Sequence, residues 1–257
     1  MLKLLNSPIN KFVLIILFNI HTIFSEEIST AYLNSKLSGK NGSSAIEYLN
    51  DLNSKYPENP HILFKMGYYY MTHLTNDKEA EKYYQECLSF NPSYSEALVN
   101  LGIIYKNKND YKNAEQYYKK AIEKNANSSS AYYNLGILYL SLERVSEAEK
   151  SFDRAINLSP DNISAHLNIA AVYINLFNKD FMKRNLTNAK KHLIKANHID
   201  NKYPHVYYNL AYLYEKENKP DIALKFYKEA VRYYENTDPQ KKTALERIEY
   251  LTSVVKH

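Results

Sequence analysis

The pentapeptides Leu101-Gly102-Ile103-Ile104-Tyr105 and Leu135-Gly136-Ile137-Leu138-Tyr139 decide the fold class of this 257-residue chain. Related pentapeptides make five copies in all, which start at positions 66, 101, 135, 169 and 210. Successive copies are therefore 35, 34, 34 and 41 residues apart. A period near 34 residues is typical of a solenoid built from helix pairs. We therefore predict an all-α fold, an α-solenoid of antiparallel helix pairs.

A second pattern follows each pentapeptide and predicts the second helix of each pair. It consists of a small residue, a large residue four positions later and another small residue seven positions after the first. Residues at this spacing share one face of an α-helix. We call the helix with the pentapeptide helix A and the helix with the second pattern helix B. The second pattern comprises Ala80, Tyr84, Cys87; Ala114, Tyr118, Ala121; Ala148, Phe152, Ala155; Ala189, Leu193, Ala196; and Ala223, Tyr227, Ala230.

The small residues have a physical role in this interpretation. Glycine in a helix interior costs about 1 kcal/mol, so Gly102 and Gly136 indicate a close crossing of helices A and B. A larger residue there would overpack the crossing by about 1–3 kcal/mol. Pro92 and Pro160 follow helix B and end it, and Pro57 has the equivalent place upstream.

These features resemble the tetratricopeptide repeat family over residues 59–236, and residues 129–160 match nearly every signature position. The resemblance implies five helix pairs wound into a right-handed superhelix. It also implies a non-catalytic scaffold for protein–protein interactions, which binds a peptide or a helical segment of a partner in a concave groove.

In this family helix A lines the groove, and the residue before the Leu-Gly pair points into it. Four of the five residues at this place are asparagines, whose carboxamides offer both a donor and an acceptor to a peptide backbone. The alternative is that these asparagines stabilise the packing between helices. The implied groove residues are Lys65, Asn100, Asn134, Asn168 and Asn209, with Tyr68, Ile103, Tyr133, Ile137, Tyr208 and Tyr212 nearby. Further apolar groove residues are Phe64, Val99 and Leu167. The alternative is that some of the apolar residues pack against the next helix A.

Residues 1–25 are predicted to be a signal peptide or a short N-terminal anchor. Lys3 and Lys11 precede the apolar residues 12–18, and cleavage is expected after Ser25. The apolar run is shorter than the roughly 18 residues that a membrane-spanning helix needs. We therefore predict an exported protein, which is periplasmic, envelope-associated or secreted. The alternative is a chain anchored in the membrane by its uncleaved N-terminal segment.

The segments that flank the five pairs are predicted to cap the solenoid. Residues 26–58 indicate a degenerate or capping repeat, with a loop at 38–44 followed by a helix B. Residues 237–257 indicate a C-terminal capping helix that starts at Pro239, since a terminal repeat must cover an exposed core. The predicted buried residues are Ala45, Leu49 and Leu52 in the first segment, and Ala244, Leu245, Ile248, Leu251 and Val255 in the second.

The fourth repeat is longer than the others, and its extra residues lie around 177–184. We predict one additional helical turn in each of its two helices. Phe177 and Phe181 would then bury each other on a neighbouring helix. Alternatively, Phe181 forms a protruding ledge with Lys179, Lys183 and Arg184 that contacts a partner or a membrane surface.

Catalysis, metal binding and nucleic-acid binding find no support in the sequence. The eight histidines are scattered, Cys87 is the single cysteine, and no glycine-rich phosphate loop occurs. The formal net charge of +5 includes no long basic block. We therefore predict no enzyme activity, no cofactor, no metal site and no nucleic-acid partner; the partners would be other proteins, with membrane contact only through the N-terminal segment. The alternative function is a membrane-tethered structural or assembly subunit of an envelope complex that uses its convex face or its ends.

Overall fold

The structure, a computed structural model, describes residues 28–180 and 182–255, without the side chains of residues 179 and 180. The prediction of a signal peptide at 1–25 lies outside the described residues. The chain divides between Ala126 and Asn127 into two compact units. The described part of the first unit holds α1 (Thr30–Leu37), α2 (Gly42–Lys55), α3 (Pro60–Thr72), α4 (Asp77–Phe90), α5 (Ser95–Asn107) and α6 (Tyr111–Lys124). The described part of the second unit holds α7 (Ser129–Ser141), α8 (Val145–Leu158), α9 (Ile163–Asp180), α10 (Lys183–Ile199), α11 (Pro204–Lys216), α12 (Pro220–Tyr233) and α13 (Pro239–Val255).

Helices A and B pack together as consecutive pairs, which confirms the predicted all-α solenoid. In the first unit α3 packs on α4 and α5 on α6. In the second unit the pairs are α7 with α8, α9 with α10, and α11 with α12. The described residues contain no β-strand. None of the helices in the described ranges has the length and hydropathy of a membrane-spanning segment.

The core of each pair lies where the small residue of helix A meets the large residue of helix B. A Cβ atom at Gly102 would lie only 2.4 Å from Cε1 of Tyr118, and one at Gly136 only 2.7 Å from Cε1 of Phe152. The predicted reason for these glycines is therefore confirmed. All fifteen residues of the helix B pattern are also fully buried, as predicted.

The turns between helices A and B share a backbone conformation that the sequence did not single out. In each of the four A–B turns that the structure describes in full, one residue has a positive φ: Thr75 at 48°, Asn109 at 60°, Glu143 at 56° and Asn218 at 57°. Asparagine tolerates this left-handed region better than a β-branched residue does. The geometry of the pair therefore outweighs the local preference of threonine.

Successive pairs are linked by the tyrosine that ends the pentapeptide. In the first unit the hydroxyl of Tyr105 donates a hydrogen bond to Glu81 of the preceding helix B, over 2.6 Å. In the second unit Tyr173 donates to Glu149 in the same way, over 2.7 Å. The tyrosine therefore packs within its own pair and connects that pair to the one before.

The N-terminal flank differs in one respect from the prediction. Helix α1 has only 8 residues, in keeping with a degenerate repeat. The predicted loop at 38–44 is too long, because α2 already begins at Gly42. The Asn41 side chain accepts a hydrogen bond from the backbone N–H of Ser44 over 2.9 Å and so caps the helix earlier. Ala45, Leu49 and Leu52 are buried, as predicted.

The fourth pair absorbs its extra residues as predicted. Helix α9 has 18 residues and α10 has 17, compared with 13 in α7 and 14 in α8. Phe177 is half-buried and packs against the core of the second unit. Phe181 lies outside the described residues, as does the Lys179 side chain, whereas Lys183 and Arg184 are exposed.

Helix α13 covers the end of the second unit with a narrower apolar face than the sequence predicted. It packs against α12, and it buries Ala244, Leu251 and part of Ile248 in the core. Leu245 is 49% exposed and Val255 is 44% exposed, so the prediction that they are buried is wrong. The helix turns these two side chains away from α12, because the contact involves only one narrow stripe.

Candidate peptide-binding site

A cavity of about 290 Å³ lies on the helix A face of the second unit. The helices that border it, α9 and α11, are the A helices of consecutive pairs and contact each other. Three of its six lining side chains are asparagines, so the cavity is rich in hydrogen-bonding groups. The lining residues are Ala171, Ile174, Asn175, Asn178, Asn209 and Tyr212.

Helix α9 supplies two asparagines that the sequence analysis missed. Asn175 and Asn178 follow Asn168 by seven and ten residues, so they continue the face on which Asn168 and Ala171 lie. Asn178 belongs to the additional turn by which α9 exceeds the other A helices. The signal that could have revealed them was this helical spacing combined with the longer interval of the fourth repeat.

Helix α11 supplies Asn209 and Tyr212, which the sequence predicted as groove residues. The side-chain amide of Asn209 donates to the backbone oxygen of His205 over 2.8 Å, one turn earlier in the same helix. This bond holds the carboxamide at the cavity while it occupies only one of the two N–H groups. Tyr212 is half-buried, and the Lys216 ammonium lies 5.0 Å from the centre of its ring.

A second cavity, of about 320 Å³, adjoins the first along α11. Arg247 of α13 pairs there with Glu215 of α11, and its Nε lies 3.2 Å from Oε1 of that carboxylate. Hydrogen bonding to Glu215 raises the pKa of Arg247. Because the two charges neutralise each other, the cavity presents mainly tyrosine rings. Its lining residues are Tyr208, Tyr212, Glu215, Lys216, Tyr227 and Arg247.

Tyr208, which was predicted from the sequence, forms the aromatic wall of this second cavity. Its ring makes an edge contact with that of Tyr227, with 5.4 Å between the ring centres. Burial raises the pKa of Tyr208, which therefore stays protonated and able to donate at neutral pH. Glu215 and Arg247 were not predicted from the sequence. The position of Glu215, seven residues after Tyr208 on the same helical face, was the available signal.

The remaining predicted groove residues of the second unit make hydrogen bonds within and between helices. Asn168 donates to the hydroxyl of Tyr133 over 3.1 Å, so it links α9 to α7. Asn134 donates to the backbone oxygen of Ser130 over 2.9 Å. Ile137 is half-buried. The structure therefore gives Asn168 the helix-linking role that the alternative interpretation described, and the role of these residues in binding stays a prediction.

The predicted residues of the first unit lie on α3 and α5. Asn100 donates to the Tyr84 hydroxyl over 2.9 Å, another contact between successive pairs. The Lys65 ammonium lies 5.3 Å from the centre of the Tyr68 ring, and burial lowers the pKa of this lysine. Tyr68 is 37% exposed. Ile103 is half-buried.

Three further apolar residues of the predicted groove pack between helices, which is the alternative that the sequence left open. Phe64 is only 8% exposed and stacks on Tyr94 with 4.9 Å between ring centres. Val99 is only 4% exposed. Leu167 packs against the core of the second unit. These side chains fill the space between helices, which is where the pentapeptide pattern concentrates bulky residues.

Metal binding would need several ligands close together. Within the part of the chain that the structure describes, no three histidine, cysteine, aspartate or glutamate side chains are placed to hold a metal ion.

Family models for the tetratricopeptide repeat match most of this helical array. One model matches residues 78–129 and 99–163, and another matches residues 60–94 and 204–237. Together these matches cover residues 60–163 and 204–237, which is more than half of the chain. The chain belongs to the tetratricopeptide repeat family. Proteins of this family generally act as non-catalytic scaffolds that bind other proteins.

Several solved structures share the tetratricopeptide repeat fold of this chain. MamA is 24% identical, with a TM-score of 0.55 over 65% of this chain and 94% of MamA. YrrB, "a TPR protein with an unusual peptide-binding site", is 19% identical, with a TM-score of 0.56 over 78% of this chain and 97% of YrrB. The pilF protein of Pseudomonas aeruginosa is 16% identical, with a TM-score of 0.70 over 89% of this chain and 97% of pilF. At these identities the likeness shows the fold alone. A comparison with curated proteins found no match.

Proposed function

We propose that this chain is an exported, non-catalytic adaptor that holds a segment of a partner protein against the helix A face of its second unit. The observation that carries the proposal is the pair of adjoining cavities along α11, of about 290 and 320 Å³, which share Tyr212. An extended peptide that crosses this face would contact both.

The asparagine-lined cavity suits a peptide backbone. Asn175, Asn178 and Asn209 each present a carboxamide, which can accept from a peptide N–H and donate to a peptide C=O. Such bonds hold the main chain without selecting its side chains. The similarity in fold to YrrB, a TPR protein with an unusual peptide-binding site, supports the proposal that the partner segment is a peptide.

The tyrosine-lined cavity suits an apolar or aromatic side chain of the same peptide. Tyrosine rings bury a large area and lose little conformational entropy, which is why they are frequent among residues that dominate binding energy. Because Glu215 and Arg247 neutralise each other, the ammonium of Lys216 is the remaining charge among the described lining residues, so this cavity disfavours a cationic side chain.

To test the proposal, the full chain is immobilised, and peptides that bind it are selected from a displayed library of random peptides. The selected peptides are then measured against the double variant Asn175→Ala/Asn209→Ala and against Tyr212→Ala. We expect each variant to weaken binding by about tenfold or more, because hydrogen bonds and a central aromatic contact contribute on that order. Circular dichroism should show unchanged helicity, since both asparagines lie on the open face.

Asn157→Ala is the matched control, because Asn157 is an exposed asparagine on α8, the helix B of the third pair. Its binding should equal that of the unmodified chain. If the selected peptides bind all of these variants equally, the helix A face is not the binding site.

Export is tested on the mature N-terminus. Mass spectrometry of the native protein should find Glu26 as the first residue if the signal segment is cleaved after Ser25. An intact N-terminus in a membrane fraction would instead favour the tethered assembly subunit.

A further inference from the structure

A third cavity, of about 440 Å³, lies in the second unit beside the turns that join helix A to helix B. It shares no described lining residue with the asparagine-lined cavity. We call it the edge cavity. It is bordered by the end of α9, the start of α10 and the turn between α11 and α12. Phe177 and Leu186 give it an apolar floor, since Leu186 is only 4% exposed and Phe177 is half-buried. Its lining residues are Phe177, Lys183, Leu186, Thr187, Lys216, Glu217, Asn218 and Lys219.

The rim of the edge cavity carries an excess of positive charge. Among the described lining residues Glu217 supplies the one carboxylate, which lies 2.7 Å from the ammonium of Lys219 and neutralises it. Lys183 and Lys216 are exposed and form no ion pair with the described carboxylates. These two ammonium groups therefore face solvent beside an apolar floor.

The start of α10 adds to this positive potential. Lys183 is the first residue of this 17-residue helix, whose first turn contains no acidic residue. The N-terminal end of a helix carries a partial positive charge, which an aspartate or a glutamate commonly offsets. Here the chain places lysine at the position where a carboxylate would be favourable.

We propose that the edge cavity binds an acidic segment of a partner protein. An apolar or aromatic side chain of the segment would rest on Phe177 and Leu186, and flanking carboxylates would pair with Lys183 and Lys216. The occupant is acidic because the rim charges that have no ion-pair partner among the described residues are positive, and it is a peptide because the apolar floor lies directly beside these charges. Of its described lining residues, this site shares Lys216 alone with the two cavities of the proposed function, and binding here does not depend on binding there.

The absence of tryptophan from the chain allows a direct binding measurement. The probe is a capped pentapeptide with a central tryptophan flanked by two aspartates on each side. Its fluorescence, excited beyond the tyrosine absorption band, is followed as the full chain is added. We expect saturable binding that weakens as salt is raised, since salt screens exposed charges.

Lys183→Glu is the decisive variant, because Lys183 is exposed and lines neither of the two cavities along α11. Lys216 is left unchanged, since it also lines the tyrosine-lined cavity. Reversing the charge replaces an attraction by a repulsion, and we expect binding to weaken by about tenfold. Lys202→Glu is the matched control: the same charge reversal at an exposed lysine in the turn between α10 and α11 should leave binding unchanged.

Three results would overturn the proposal. The first is equal binding of the probe to the unmodified chain and to the Lys183→Glu variant. The second is equal binding of a probe with asparagine in place of each aspartate. The third is that the chain binds vesicles that contain anionic phosphatidylglycerol, that Lys183→Glu abolishes this binding, and that the peptide does not bind. This third result would assign the site to a lipid surface. The Asn175→Ala/Asn209→Ala variant should bind the acidic probe normally, so failure of the groove proposal is distinguished from failure of this one.

Discussion

Gly102 shows how a single missing side chain sets the distance between two helices. The Tyr118 ring occupies the space that a Cβ at Gly102 would need, and Tyr118 is fully buried. A buried ring of this kind has few alternative positions, because protein interiors are close-packed. The favourable packing of the ring therefore outweighs the cost of glycine in a helix.

Gly102→Val should lower the free energy of unfolding by about 2 kcal/mol. The added atoms overpack the crossing of α5 and α6, and this cost exceeds the small gain in helix propensity. Urea unfolding followed by circular dichroism measures the change. Ile103→Val, at the adjacent half-buried position, is the control and should cost only about 0.5 kcal/mol. Equal effects of the two substitutions would contradict a steric role for the glycine.

His166 and His192 form a second residue-level arrangement, which the sequence analysis missed. The Nε2 atom of His166 lies 3.0 Å from the backbone oxygen of Pro160, so this nitrogen carries the proton and donates. Its Nδ1 is then the acceptor for the Nδ1–H of His192, over 3.1 Å. When both imidazoles are neutral, each of these two contacts pairs one N–H donor with one acceptor.

This arrangement predicts that the second unit loses stability in mild acid. Burial lowers the pKa of His192 to about 4, with further contributions from His166 and Lys191, and burial also lowers the pKa of His166. An unfolded histidine has a pKa of about 6.5, so the unfolded chain binds more protons than the folded chain between these values. Stability is fully present above pH about 6.5 and decreases as the pH falls toward 4.

The measurement is the urea midpoint at neutral pH and at mildly acidic pH. His192→Gln should reduce the difference between the two midpoints, because it removes the group whose protonation opposes folding. His198→Gln, at an exposed histidine of the same helix, should leave the difference unchanged. An identical pH dependence in all three proteins would refute the role of His192.

At the scale of elements, the connection between successive pairs depends on one position of helix B. In two pairs a glutamate at this position accepts a hydrogen bond from the pentapeptide tyrosine of the next helix A. In the fourth pair Lys190 takes the place of the glutamate, and its ammonium lies 4.5 Å from the centre of the Tyr214 ring. A cation over a ring replaces the hydrogen bond, so the tyrosine keeps its position with a different partner.

Helix α13 provides a test of which side chains hold the terminal element. Leu251 is 3% exposed whereas Leu245 is 49% exposed. Leu251→Ala should lower the free energy of unfolding by about 2–3 kcal/mol, because it removes buried apolar atoms and leaves a cavity. Leu245→Ala should change it by less than about 0.5 kcal/mol. Thermal unfolding of both variants measures this difference, and a larger loss for Leu245→Ala would contradict the observed orientation of the helix.

The sequence predicted the helix pairs well because their pattern is local. Small residues such as Gly102 and large ones such as Tyr118 recur at fixed spacing, and helical geometry converts that spacing into a buried stripe. The faces of α13 were harder to predict, because Leu245 and Leu251 are equally apolar and only the contact with α12 distinguishes them. The sites were harder still. Arg247 reaches Glu215 from 32 positions away, and no local pattern indicates such a pair.

At the scale of the whole molecule, tyrosine rather than tryptophan fills the spaces between helices. The chain has 26 tyrosines and no tryptophan. The pentapeptide aromatic stacks in several pairs on an aromatic residue of its own helix B. The same sequence position thus produces the same contact in both units. These stacked pairs are Tyr70 with Tyr83 at 5.5 Å, Tyr105 with Tyr117 at 5.2 Å, and Tyr214 with Phe226 at 5.3 Å between ring centres.

The single thiol of the whole chain, that of Cys87, reports whether the core of the first unit is closed. Cys87 is fully buried, and its sulfur lies 3.2 Å from the backbone oxygen of Pro60. Burial raises the pKa of the thiol to about 12, and only the thiolate reacts readily. We therefore expect a disulfide-exchange reagent to label the native chain very slowly and to label it fully in urea.

The labelling rate should rise over the same urea range in which circular dichroism shows the first unit unfolding. Cys87→Ala should abolish labelling and change the free energy of unfolding by less than about 1 kcal/mol, because Ala121 and Ala155 occupy the same place in their pairs. Rapid stoichiometric labelling of the native chain would show that the crossing of α3 and α4 opens without unfolding. The close fit of helix B against helix A, on which the whole solenoid depends, would then be weaker than the buried side chains indicate.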